Sequence, residues 1–474
     1  MYDYVVIGSG PAGLTCANAI NKTGHTCLVI DRENSHGGCH RVTRVNGLFT
    51  EHGPRIYSSA YLNFHALLKE NNIYGGFAPY KFAITGGGLK DQESTMGQAM
   101  HIFTLSELVK IFIHYLRCTV NPGYYRSRSV DQIFCSFSDK SLRYLDKICR
   151  LTDGAGINRY TAYEFLQLIN QNIFYQILEP TTPNDYGWVA KLVKSLEIKG
   201  VTFRTSTALL GIRKQLNQYI LHTNSGIIRC KNVVFTTPTN VLEHFFIKFN
   251  GIVLKNYNRS SLYETYIPFT LHWDKKIILK DIWGQGIGPW NIAWVVMSDY
   301  MNLDGSLISC CISRLDIAGY NGKTANQCSL AELKKEALVQ LGPLLEKHKP
   351  DHFVMSPQVE YRQGVWTNRD TAYMLTPDSN IKFPFKMDGE NIYSVGTHNG
   401  CSTYDFTTAE SAVQNALMWA NLYLPNHFQS ILVAWTLNQI ILCCIIVSII
   451  ITSLNGTIGQ LLSTVSNKIV NRIS

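Results

Sequence analysis

The sequence predicts an α/β fold: a strand–turn–helix unit at the N-terminus, interleaved with an α+β portion and followed by one apolar C-terminal helix. Three observations carry this. Residues 2–7 form a β-branched and aromatic run that passes into a glycine-rich hexapeptide and then an apolar, Ala-containing stretch. Strand-like runs return between residues 201 and 235 and again at 391–397, with other patterned segments between them. Residues 431–454 are 24 positions without a charge.

At 474 residues, 46% hydrophobic and 16% charged, the chain has apolar material for one large or two intermediate domains. That composition argues against global disorder. The net charge of +9 suits an anionic membrane surface or a phosphate-bearing ligand. No Lys/Arg-rich block concentrates it, so a nucleic-acid partner is not expected. The 13 cysteines include no CxxC pair. The neighbours Cys310 and Cys311, and Cys443 and Cys444, read as apolar fillers, and no metal site is expected. Scattered thiols, and a first strand that leaves no room for a cleavable signal, predict a reducing compartment.

In the hexapeptide, Gly8 permits the tight turn, Gly10 lets the backbone approach a pyrophosphate, and Gly13 allows close helix–strand packing. Ser9, Pro11 and Ala12 complete the loop. The helix to about Asn21 offers free N–H groups and a positive dipole end to phosphates. A second apolar run at 26–30 ends on Asp31 and Arg32, and Asp31 lies where a carboxylate accepts adenosine ribose hydroxyls. Glycines alone are weak evidence. Their strand–turn–helix context and the spaced acid make this a dinucleotide-binding unit that disfavours a 2′-phosphate.

Two further stretches decide which dinucleotide. Gly37-Gly38-Cys39-His40-Arg41 follows at once, then Gly47, Glu51 and His52-Gly53-Pro54-Arg55-Ile56-Tyr57. A nicotinamide dinucleotide does not need these, whereas the longer flavin needs another close backbone approach. The arrangement resembles the glutathione-reductase-type FAD fold, and within it the flavin amine oxidases, phytoene desaturases and protoporphyrinogen oxidases. Those proteins carry a Gly-Gly-Arg loop and then a Gly-x-x-x-(acid)-x-Gly stretch. Here Cys39 stands at the arginine position, with Arg41 two places on as its substitute.

The resemblance implies further contacts. Leu209 would meet the adenine through its backbone, and residues 232–238 would end in a Thr-Thr-Pro turn near the flavin. Gly396-Thr397 would end a late strand. Glu410-Ser411-Ala412 would open a helix whose N-terminus faces flavin O2 and N1, with Ser411 replacing the usual glycine and presenting its N–H. The implied cofactor is FAD, held non-covalently, because residues 363–385 lack the cysteine to which monoamine oxidases attach it.

The interleaving predicts an FAD-binding part at residues 1–78, 187–261 and 385–428, and a substrate part at 79–186 and 262–384. Within the latter, residues 100–117 and parts of 129–170 have helical spacing, residues 262–314 hold strand-like runs, and 329–347 is helical. Gly86-Gly87-Gly88 reads as a surface turn. Residues 429–454 form a membrane-spanning segment, since the 24 uncharged residues at 431–454, at 1.5 Å each, cover about 36 Å, and residues 455–474 form a short tail. The flavin part is expected on the cytosolic side, although Lys468 and Arg472 in the tail oppose this mildly.

The resemblance implies hydride removal from an amine or C–C bond of a small substrate onto flavin N5, with O₂ or another acceptor following. Residues 52–57 also look like the second loop of UDP-galactopyranose mutases. This leaves open a flavin-dependent isomerase, with Arg55 near the flavin or a diphosphate, and also a non-catalytic flavin-binding membrane protein. The aromatic that precedes the family's final helix is Thr408 here. Trp366, Tyr404 and Phe406 are candidates for a replacement wall, each equally readable as core. No general base stands out. His52, His272 and His398 are candidates that read more readily as structural, and Lys275 and Lys276 read as surface lysines.

Overall fold

The computed structural model describes residues 1–79, 101–172, 174–239, 241–242, 263–278, 283–285, 288–345, 348–369, 372–373, 383–387, 391–404 and 407–473. The Gly86-Gly87-Gly88 turn and Phe406 lie outside them.

A seven-stranded sheet forms the centre. Thr202–Arg204, Cys27–Ile30, Tyr2–Ile7 and Gly226–Phe235 run parallel in that order. Tyr2–Ile7 and Cys27–Ile30 are apolar along nearly their whole length, as strands covered on both faces must be. The last of the strand-like runs expected between residues 201 and 235 is one ten-residue strand, Gly226–Phe235. Its first half pairs antiparallel with Gln218–Thr223, while Val233, Val234 and Phe235 pair parallel with Ile392–Ser394. One long strand thus brings the middle and the end of the chain beside its beginning.

Helices Pro11–Lys22, Leu62–Glu70, Trp188–Ile198 and Ala409–Tyr423 bury one face of this sheet around Leu14, Phe64, Leu192 and Trp419. The other face packs Val5, Leu28 and Val233 against Leu221 and Ile228. A five-stranded antiparallel sheet stands opposite, in the order Trp283–Gln285, Ile292–Val296, Ser306–Ile312, Ile267–Trp273, His352–Met355. Helix Leu330–Gln340 shares its core, with Leu333 and Ala337 among Phe269, Trp290 and Ile308.

A helical layer joins the two sheets: Leu105–Val120, Asp139–Asp153 and Ala162–Asn172, packed around Tyr125, Phe134, Leu145 and Tyr160. The first begins later than its apolar pattern because Thr104 and Glu107 form a reciprocal capping box that fixes the start.

The last helix departs from expectation at both ends. It runs Leu437–Ile473, 37 residues, rather than 429–454 with a separate tail. Residues before it are held on the body, where Asn63 donates from Nδ2 to the Leu432 carbonyl (2.8 Å) and accepts from Leu432 N–H (2.8 Å). Beyond Leu454 nothing stops the helix. Gly456 costs about 1 kcal/mol against alanine, too little to end a long proline-free helix. Its Leu437–Thr457 stretch, 21 residues with none buried, is long and apolar enough to cross a membrane. The first turn touches the helical layer: Asn438 accepts from Tyr115 and from Thr119 Oγ1 (3.2 Å).

Candidate functional site

A cavity of about 900 Å³ opens where the parallel strands end, lined by Ile7, Ile30, Thr236 and Gly396 on the sheet side. This edge is where doubly wound sheets take ligands, since the loops of neighbouring strands diverge there.

At one end lies the glycine loop. Gly8 has φ +106°, and a Cβ there would fall 2.9 Å from Thr236 Oγ1. A Cβ on Gly13 would overlap the Gly8 carbonyl oxygen, so helix Pro11–Lys22 meets its strand only through glycine. That helix starts at Gly10 with proline in its first turn and no side-chain cap, which leaves its N-terminal amides for a ligand. The second loop lies directly on the first: Gly37 N–H donates to Ser9 O (3.0 Å), and a Cβ on Gly38 would stand 3.0 Å from Gly10 Cα. Asp31 Oδ2 accepts from Ser9 N–H (2.8 Å) and Ser9 Oγ (2.6 Å), and its Oδ1 accepts from Glu33 N–H (3.0 Å).

Most of the expected contact residues line this one space: Gly8, Ser9, Gly10, Pro11, Ala12, Asp31, Arg32, Gly38, Arg41, Gly53, Pro54, Arg55, Leu209, Gly396, Thr397 and Ala412. Gly13 and Gly37 do not line it and act through packing and the turn. Two expectations at helix Ala409–Tyr423 are corrected. Glu410 does not line the cavity; its carboxylate accepts from Asn63 N–H (3.0 Å) and Phe64 N–H (2.8 Å) at the start of a neighbouring helix. Ser411 does not offer its N–H, because Thr408 Oγ1 caps the helix by accepting it (3.1 Å). The amides left at this terminus are those of Ala409 and Glu410, and Ala409 lines the cavity.

The candidate bases divide. His52 is buried against Tyr266, and His272 is bonded to the Phe49 carbonyl (2.9 Å); neither lines the cavity. Lys275 and Lys276 are exposed. His398 does line it, with Nε2 2.8 Å from Ser394 Oγ, and burial pushes its pKa down to about 3. A ring so reluctant to take a proton is a poor base at neutral pH. Trp366 belongs to the core of the five-stranded sheet, where its indole donates to the Cys328 carbonyl (3.1 Å). Tyr404 lines the cavity, its hydroxyl donating to Asn172 Oδ1 (2.6 Å) and its ring edge-on to Tyr61 at 5.2 Å.

The opposite wall was not legible in the sequence. Arg150, Asn172, Tyr266 and Ser313 line it from the helical layer and the five-stranded sheet. Arg150 donates from Nε to Asp146 (2.9 Å) and from Nη1 to the Ser313 carbonyl (3.0 Å). Its position in an amphipathic helix reads as a solvated face, and only docking of that helix on the second sheet turns it inward.

Together the fold and the cavity define a nucleotide-binding α/β protein, and residues 6–70 match the NAD(P)-binding Rossmann-like domain. Over nearly its whole length the chain shares the fold of flavin amine oxidases and related oxidoreductases. An oxidoreductase from Methanosarcina mazei is 14% identical with a TM-score of 0.63, covering 88% of this chain and 99% of that one. Cyclohexylamine oxidase from Brevibacterium oxydans is 12% identical, TM-score 0.62, over 89% and 98%. A putrescine oxidase solved with putrescine bound is 12% identical, TM-score 0.62, over 88% and 98%. No curated protein matches by sequence.

Proposed function

We propose that this chain is an FAD-dependent oxidoreductase that takes hydride from an amine or C–C bond of a small substrate, with its body tethered to a membrane by the C-terminal helix. One observation carries the reading: the glycine loop, the Gly38–Arg41 turn, the Gly53–Arg55 turn and the Gly396–Ala412 region all line a single cavity. A dinucleotide with a long second half needs such a run of close backbone approaches, and a Cβ at Gly8, Gly13 or Gly38 would disturb the loop packing that shapes them. The donor set also fits FAD, with helix amides for a pyrophosphate, a carboxylate at Asp31 for ribose hydroxyls, and Arg41 and Arg55 for electron-rich edges.

When bound, FAD supplies the hydride-accepting N5, and reoxidation is left to O₂ or another acceptor. The residues of this chain do the rest. Thr397 and the amides at the Ala409 terminus meet negative charge that develops on reduction. Tyr61, Tyr404 and Asn172 set the wall on which substrate rests. With no side chain among the described residues placed as a competent base, binding and orientation are the main contributions expected of the protein. The test is purification of the full chain in detergent. Yellow protein that releases FAD on acid precipitation, and that bleaches anaerobically with a turned-over substrate, supports the reading. Colourless protein that cannot be loaded with FAD overturns it.

A further inference from the structure

Helix Leu105–Val120 carries two apolar faces, and only one of them is packed. Tyr115 and Cys118 are buried in the core of the helical layer, with Leu108 and Ile111 packed against it. Leu105, Val109, Phe112, Ile113, Leu116 and Val120 point outward, from 41% exposed at Ile113 to 86% at Val120. Their spacing places all six within an arc of about 100°. A row of large apolar side chains on an outer face marks a surface that something covers. The exposed charges of this helix are both basic, Lys110 and Arg117, and helical geometry sets them together on one flank of the row. Its one acid, Glu107, is buried, accepting from Ser138 N–H (2.8 Å) and Ser141 Oγ (3.0 Å).

The opposite flank meets the long C-terminal helix. Tyr115 and Thr119 donate to Asn438 Oδ1, and Asn438 N–H donates to Asn170 Oδ1 (3.1 Å), which fixes the first turn on two helices of the layer. Ile441, one turn on, still packs against that layer. Just before this helix Leu432 is bonded to Asn63, and Val433 and Trp435 are exposed. Residues 411–467 contain no Asp, Glu, Lys or Arg. A span held to the body at its first turn has no slack, so the surface beside that turn must come to the bilayer with it.

We infer that the outer face of helix Leu105–Val120 docks on the lipid surface beside the C-terminal helix. Its six apolar side chains enter the headgroup–acyl boundary, Lys110 and Arg117 reach the lipid phosphates, and Trp435 sits at the same level. This rests on the membrane tether proposed above and adds an orientation to it: the face lies on the bilayer without crossing it, and the anchor holds the body there. A second copy of the chain fits the face less well. A two-fold contact along this helix would gather Lys110 and Arg117 with their copies, and the helix exposes no acid to offset them.

The experiment places the full chain in phosphatidylcholine–phosphatidylserine vesicles that contain a lipid with a photoreactive diazirine in its acyl chain. After illumination, labelled peptides are mapped by mass spectrometry. Label is expected on residues 437–457 and on residues 105–120. In V109S/F112S/L116S, whose three sites are exposed, label on 105–120 should fall at least about fivefold while label on the anchor is unchanged. Label on the anchor with none on 105–120 overturns the inference and leaves the tether standing. So does crosslinking of 105–120 to a second chain in place of lipid, which assigns the face to a dimer. Label on 105–120 with none on 437–457 sustains the docking face while the tether fails, and label on neither overturns both.

Discussion

Gly13 shows how one atom constrains the whole site: its missing Cβ is the clearance between the first helix and the Gly8 carbonyl. Alanine there must push the helix off the strand. Expected for G13A is a loss of about 1–3 kcal/mol together with loss of FAD uptake, read by thermal melting and by flavin absorbance of the purified protein. Asp31 holds the loop from the other side through two bonds to Ser9. D31N keeps the shape but weakens both bonds, and about tenfold weaker FAD binding is expected with little change in melting. His398 adds a pH signature. Its folded pKa of about 3 lies below the ordinary value of about 6.5, so the unfolded chain takes the proton first as pH falls. Its contribution to stability is therefore intact above about pH 6.5 and is lost between about 6.5 and 3, at up to about 1.4 kcal/mol per unit. Chaotrope melts across that window should show a shallower decline in H398Q than in wild type.

Among elements, the contact between Glu410 and the start of helix Leu62–Glu70 links the last part of the body to the first. The carboxylate accepts from the amides of Asn63 and Phe64, from Asn63 Nδ2 (2.6 Å) and from Gln414 Nε2 (2.9 Å). An anion at a helix N-terminus meets both free donors and the positive dipole end. E410A should cost about 2–4 kcal/mol and E410Q less, measured as a fall in chaotrope midpoint. FAD affinity should fall only in step with stability, because Glu410 does not line the cavity. The helical layer shows the same dependence on termini, with its first helix set by the Thr104–Glu107 box rather than by the apolar run before it.

For the whole molecule, the long exposed helix sets the solution behaviour. The strand-free segment before it is pinned to the body through Asn63 and Leu432, so a cut after Thr436 preserves those bonds and a cut near Pro425 removes them. The chain ending at Thr436 should remain in the aqueous phase after detergent phase separation, while the full chain enters the detergent phase. Partitioning of the full chain into the aqueous phase would overturn the membrane tether. Truncation nearer Pro425 should in addition lower the melting temperature, because Asn63 then loses its two bonds to Leu432.

The sequence by itself determined the start of the fold and the cofactor end of the cavity. Those residues all lie between positions 8 and 38: Gly8 and Gly13 shape one turn, and Asp31 and Gly38 reach back to Ser9 and Gly10, so their roles leave a mark in residue type at short spacing. The apolar run near the end was legible for the same reason, although its limits were not, because Asn63, more than three hundred residues earlier, holds the preceding segment. Only the tertiary structure decided that Glu410 bonds to another helix, that Thr408 takes the Ser411 amide, and that Arg55 and Arg150 line one cavity. Each depends on which of several chemically competent partners comes within hydrogen-bond reach, and that is fixed by the packing of two sheets and a helical layer rather than by local pattern.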